Sequence, residues 1–240
     1  MPQRYVSNEL THFVGRSLPD DEARYALLVK ILRDGLLTSD PGSPAAQARW
    51  EGVVGSSYTP GAPFSEPGSY SIDCVCFCDI PVPDLPVHMA KYSQFGLAFT
   101  KAFLITKAAN AVSYWAANGL TPGGGGTWQA YFNSQVANFH GLIDSLRADY
   151  PSVPAPRDNM DGRLEGLFGF VNFMLNYTKL FDASLPDSHP DSYYMEREWR
   201  LAGNIAFELQ HVERVILPRA FAGRLRRDVP EYIGQIHFPS

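Results

Sequence analysis

The sequence lacks an apolar run long enough to span a bilayer, because its longest hydrophobic stretches are short or broken by polar residues. Its first residues, MPQRYVSNELTHF, hold no apolar core of the kind a signal peptide needs. Cysteine is scarce, three in 240 residues, and an odd number makes no even disulfide framework. These absences predict a soluble protein of the reducing cytoplasm with no membrane partner. Basic charge is not in excess either. Lys+Arg number 20 against Asp+Glu 25, a net charge of −5, so no global positive field draws in nucleic acid. A local basic cluster remains in Arg214, Arg219, Arg224, Arg226 and Arg227. There is no G-x-G-x-x-G after a strand and no P-loop, which disfavours the two common phosphate-binding folds. There is no G-x-S-x-G elbow, which removes the signal for a serine hydrolase. His88 and His140 fall on predicted helices and His189 in a polar loop; no pair has metal-ligand spacing, so no metal is expected.

What is present is a core. Apolar residues make up 45% and aromatics 13%, enough for one large domain or two small ones. A short strand is read over 5–15. Ser17-x-x-Asp20 reads as a capping box with Pro19 in the first turn, and Ala23, Leu27, Leu28, Ile31 and Leu32 follow at helical spacing until Gly35. Residues 38–70 are rich in Gly, Pro and Ser, and are either a disordered insertion or a lid over a site; the composition fits both. Residues 71–80 alternate as a strand that Pro81 and Pro83 stop, and Asp84 reads as the cap of a short helix. Residues 95–105 fit either a buried strand pair or a strand running into a helix. Gly123 to Gly126 read as a loop, and Thr127 opens an amphipathic helix with Trp128, Tyr131, Phe132, Gln135, Val136, Phe139, Ile143 and Leu146 on its inner stripe. A second helix from Asp161 is apolar nearly all round, which predicts a central position. Strands are expected near 196–202, 211–217 and 231–238, with a basic helix near 219–227. With most helices in the middle and strands at both ends, the fold class is α+β with mixed sheets and centrally inserted helices. No internal repeat is visible.

Two groups of residues stand out. Cys74, Cys76 and Cys78 share one face of their strand, neighbours roughly 6.5 Å apart along it, at the limit for a disulfide. The favoured reading is small residues packed under a helix. The segment Tyr193–Leu201 alternates charge with bulk. Read as a strand, it places Glu196, Glu198 and Arg200 on one face, with Arg197, Trp199 and Leu201 on the other. Such a row belongs either to an edge strand charged against aggregation or to a site. The packed character of Trp199 and Leu201 favours the site. A carboxylate beside an arginine can orient a sugar hydroxyl or stabilise an oxocarbenium ion. His12, on the first strand, is the histidine placed to join it, although a lone histidine is more often structural.

The combination ELTHFVGR, LLVKILRDGLL, CFCDIPVPDLPVHMAKYSQFGLAF and EREWRL resembles the AbiGi family of bacterial abortive-infection (phage-resistance) proteins, labelled antitoxins. The likeness runs from about residue 5 to 217, interrupted at 38–70 and 117–160, and implies one domain over 1–240 with the insertion at about 38–70. Such a protein would pair with a toxin. A more distant likeness, a strand histidine, a helix ending in IL-x-x-GLL and a late strand opening with Glu, is similar to the layout of DarT-like ADP-ribosyltransferases. That likeness implies NAD as substrate, a nucleic-acid or protein acceptor, and Glu198 as the catalytic glutamate with Glu196 in reserve. It implies His12 on the ribose or adenosine side of NAD, and Arg200 and Arg16 facing the pyrophosphate. The Ser-Thr-Ser strand motif of those enzymes has no clear counterpart here.

Overall fold

Asp20 and Gly35 bracket the first helix, and each does so by an identifiable bond. The Asp20 carboxylate accepts from the Ala23 amide at 2.8 Å, and Gly35, left-handed at φ 61°, donates its N–H to the Ile31 carbonyl at 2.9 Å. The cap is therefore Asp20 rather than Ser17, and Pro19 precedes the helix instead of lying in its first turn. The computed structural model describes residues 7–38, 56–59, 62–65, 70–149, 160–186, 189, 191–192 and 194–239. Most of the 38–70 segment lies outside the described residues.

In chain order the elements are β1 (Glu9–Phe13), α1 (Asp21–Asp34), β2 (Leu36–Leu37), β3 (Ser56–Tyr58), β4 (Tyr70–Ile72), β5 (Cys74–Cys78), α2 (Leu85–Lys91), β6 (Gly96–Thr100), α3 (Lys101–Thr106), β7 (Asn110–Ala111), β8 (Ser113–Ala116), α4 (Trp128–Asp149), α5 (Met160–Asn176), β9 (Thr178–Phe181), β10 (Glu198–Ala202), β11 (Ile205–Ala206), β12 (Val212–Ile216), α6 (Ala222–Asp228) and β13 (Gln235–His237). They are α+β with mixed pairing. The undecided 95–105 stretch is a strand running into a helix, with Thr100 capping α3 through the Phe103 amide.

Two compact units share these elements. The first comprises Met1–Gly55, Asp73–Val112 and Tyr193–Ser240. It holds a seven-stranded sheet in the order β13-β12-β6-β1-β5-β10-β7, antiparallel except for the parallel β12–β13 pair. Directly paired residues point to the same face, and successive residues alternate. One face therefore carries Leu10, Val75, Phe77, Leu97, Phe99, Leu201 and Val215. It packs with Tyr25, Leu28 and Leu32 of α1 into the main core. The other face carries Phe13, Cys78 and Ile216, covered by Leu85 and Met89 of α2.

The second unit comprises Ser56–Ile72 and Ser113–Ser192. It contains the antiparallel β3–β4 pair, the parallel β8–β9 pair, α4 and α5. Trp115 of β8 meets Trp128 and Phe132 of α4 in an aromatic cluster. Val136 and Ile143 are buried as the stripe predicts, but Tyr131 and Gln135 are exposed. The α5 expectation is corrected more sharply. Leu167, Phe170, Phe173 and Met174 are 47–62% exposed, so this helix is not central, and its all-round apolarity leaves an open apolar face.

Candidate functional site

The late charged segment does not form one continuous row. Tyr194–Glu196 is a 3-10 turn, and Arg197 adopts a left-handed φ of 44°, so the strand begins at Glu198. The kink separates Glu196 from the strand row and places it in a different environment. Tertiary contacts override the alternation there, as the partners of each carboxylate show.

Glu198 and Arg200 do share a face, since residues two apart on a strand project together. Arg200 Nε donates to Oε1 of Glu198 at 2.8 Å, and Nη2 to Oε2 at 3.3 Å. This is a two-point clasp of the kind that planar guanidinium favours. Both side chains are largely withdrawn from water, at 18% and 8% exposed. Burial works against the arginine charge, yet Coulomb attraction and hydrogen bonding from Glu198 hold its pKa above the ordinary value. β10 pairs with β5 over five positions, which sets Glu198 opposite Cys78, Arg200 opposite Cys76 and Ala202 opposite Cys74. The Sγ atoms of Cys74 and Cys76 are 3.6 Å apart.

Glu196 is buried in a second polar group. Lys91 Nζ donates to its Oε1 at 2.8 Å, and the Tyr92 hydroxyl donates to the same oxygen. Burial, then the bond to Glu196, raises the Tyr92 pKa. The Tyr92 ring stacks on Phe13, and the Arg16 guanidinium lies 5.0 Å from its centroid. His88 Nε2 contacts the Met195 carbonyl at 3.1 Å, so that nitrogen carries the proton. A third pair closes the strand end: Lys101 Nζ to Asp79 at 2.7 Å, with Arg197 at 3.6 Å from the same oxygen. Lys91, Tyr92, Asp79 and Lys101 were not singled out as site residues from sequence. Nothing in local spacing distinguishes a lysine or tyrosine at the end of a short helix that will meet a carboxylate about a hundred residues later.

His12 stands apart. β1 runs in register with β6 over five pairs, His12 opposite Leu97, which puts the imidazole on the main-core face. Thr11, its neighbour, pairs with Cys78, the residue opposite Glu198. His12 and Glu198 are therefore on opposite faces of one sheet. The imidazole packs edge-on to Phe77, and its Nδ1 donates to the Cys76 carbonyl at 2.8 Å. β1 and β5 share a single paired position, so this side-chain bond satisfies a carbonyl where the ladder has opened. Burial lowers the His12 pKa, consistent with a neutral ring. Of the five sequence-derived residues, the structure joins Glu198 with Arg200 directly and Arg16 with Glu196 through Tyr92. It does not bring His12 to either.

The model of the family described as "Putative abortive phage resistance protein AbiGi, antitoxin" matches residues 68–224. The chain belongs to the AbiGi family. No curated protein and no solved structure matches it. The matched span contains the cysteine strand, α2, the Glu196 turn and the Glu198–Arg200 clasp, together with the whole of α4 and α5. His12 and Arg16 precede it, as do the ELTHFVGR and LLVKILRDGLL blocks. What the AbiGi family brings is therefore abortive-infection defence with an antitoxin description, over the part of the chain that carries the charged clusters and the exposed helix face. Among the described residues, no group of three or more His, Cys, Asp or Glu could hold a metal ion. No helix there is long and apolar enough to cross a membrane.

The local basic cluster is largely committed within the fold. Arg214 clasps Glu9, Arg224 clasps Glu22, Arg226 donates to the Tyr232 and Gly234 carbonyls, and Arg219 lies over the Phe238 ring. Such pairs dock α6 and β12 onto the rest of their unit, and leave less charge for a phosphate backbone.

Proposed function

We propose that this AbiGi protein acts in phage defence as a binding module, an antitoxin that holds a partner toxin. The observation that carries the reading is family membership over residues 68–224. The exposed apolar face of α5 supports it. Four large apolar side chains, Leu167, Phe170, Phe173 and Met174, are about half exposed within two turns of one helix, and no charged residue occurs between Gly166 and Asn176. A contiguous patch of that kind is what a protein partner covers. An amphipathic helix face laid into a partner's apolar groove is the binding mode it fits.

The transferase reading, with NAD as substrate and a nucleic-acid acceptor, draws less support. It needs His12 and Glu198 to line one cleft, and the strand register turns them to opposite faces. It also needs a carboxylate available to a ribosyl cation, whereas Glu198 is clasped by Arg200 at both oxygens and Glu196 is held by Lys91 and Tyr92.

Co-expression tests the proposal. The toxin candidate is the product of the neighbouring gene. Growth arrest by that toxin should be relieved by the parent chain and equally by Glu198→Gln at a temperature where the variant stays folded. Relief that vanishes with folded Glu198→Gln would point to catalysis. A second arm is thermal melting with NAD. A ligand at 100 times its dissociation constant stabilises by about 2.7 kcal/mol, so an unchanged melting curve in millimolar NAD is expected, and a clear rise would contradict the binding-module account.

A further inference from the structure

Three cysteines are all the chain has, and all three sit within one five-residue strand. Their surroundings differ. Cys78 is buried beneath α2 with Leu85 and Met89, and burial pushes its thiol up to about 12. Packing accounts for it. It does not account for the other two, because Cys76 is exposed and Cys74 is half-exposed, and neither belongs to a core cluster.

The geometry of that pair is specific. Alternation along β5 puts both thiols on one face, and the Sγ atoms approach to 3.6 Å, within thiol hydrogen-bonding range. The sheet register sets Arg200 directly opposite Cys76. Either sulfur can donate across this contact. The shared hydrogen bond favours ionisation of one of the two thiols, and the Arg200 charge adds to it. An accessible thiolate beside a cation is the arrangement in which cysteines react.

We propose that Cys74 and Cys76 form a peroxide-sensitive dithiol, a modification site at which one thiol attacks and its neighbour resolves. The attacking sulfur, as thiolate, takes one peroxide oxygen, the O–O bond breaks, and hydroxide leaves as that cysteine becomes the sulfenic acid. The second thiol, as thiolate, then attacks the oxidised sulfur; an S–S bond forms, the S–O bond breaks, and the proton the second thiol releases leaves with the hydroxyl as water. Two electrons pass from the sulfurs to the peroxide, and a dithiol such as dithiothreitol returns them. The strand itself limits the product. Extended residues two apart hold their Cα atoms roughly 6.5 Å apart, near the upper bound for a disulfide. Oxidation must shorten β5 between Cys74 and Cys76, and so disturbs the pairing of Cys76 with Arg200 and of Cys74 with Ala202. This site answers peroxide chemistry whether or not the chain is an antitoxin.

The test uses the full chain, reduced, freed of reductant and treated with hydrogen peroxide, followed by alkylation and peptide mass analysis. The expected result is a Cys74–Cys76 peptide that has lost two hydrogens and gained no alkyl groups, reverting with dithiothreitol. Cys78 should stay reduced and take label only after unfolding. In Cys76→Ser and in Cys74→Ser, dimedone should trap a sulfenic acid on the remaining cysteine of the pair. Oxidation of the pair no faster than that of free cysteine would overturn the proposal. So would disulfide-linked dimers in place of the internal bond.

Discussion

Glu198 and Arg200 hold each other at two points in a setting that excludes most water. Removing one partner leaves the other buried without its countercharge, which costs about 3 kcal/mol. Glu198→Gln should therefore lower the urea midpoint by that equivalent, and a change below about 0.5 kcal/mol would mean that the clasp contributes nothing to folding. His12 gives a second prediction. Its pKa is lowered by burial from 6.5, so the unfolded chain takes up the proton before the folded one does. The sign follows: its contribution is complete above about pH 6.5 and is lost as pH falls from there toward the folded pKa. His12→Asn keeps a donor for the Cys76 carbonyl but cannot titrate. The drop in melting temperature between about pH 7.5 and about pH 5.5 should be smaller in the variant than in the parent. An equal drop would assign the pH dependence to other groups, among which His88 is also lowered by burial. Residue identity made the Glu198–Arg200 pairing legible, because strand alternation alone puts them together. The turn at Tyr194–Glu196 was not legible, because nothing local signals that Arg197 will take a positive φ.

α1 shows how an element's ends are written in its sequence. Asp20→Ala removes a cap bond and should cost about 1 kcal/mol. Gly35→Ala should cost about 2 kcal/mol, since φ is 61° and an added Cβ would lie 2.5 Å from the Phe207 carbonyl oxygen. Urea unfolding of both variants checks the order; equal losses would deny the steric term at Gly35. The helix, its Gly35 stop and the β5 alternation could be read from spacing because local rules govern them. The two-residue strands β2 and β11 could not. They pair with each other across 168 positions, Leu37 with Ile205, and have no periodicity of their own. The misplacement of α5 has a different cause. An all-round apolar helix reads as buried, yet Leu167, Phe170, Phe173 and Met174 face outward, and periodicity cannot separate a core face from an exposed apolar one.

At the scale of the molecule, the α+β class and mixed sheets follow from the distribution of elements. The order of the central sheet does not, because β10, from late in the chain, enters beside β5 and sets Arg200 against Cys76. That insertion places Glu198 and His12 on opposite faces of the sheet. Family membership points to a partner, and the proposed contact is the α5 face, where four large apolar side chains are exposed together. The most direct measurement is the affinity of the full chain for the toxin product of the neighbouring gene, by calorimetry, for the parent and for Phe170→Asp. Phe170 is 62% exposed, so its replacement should leave the melting temperature within a degree or two. The account predicts a stable complex with the parent and a loss of about 100-fold, or about 2.7 kcal/mol, in the variant. No complex with the parent, or the same affinity in both, would contradict it.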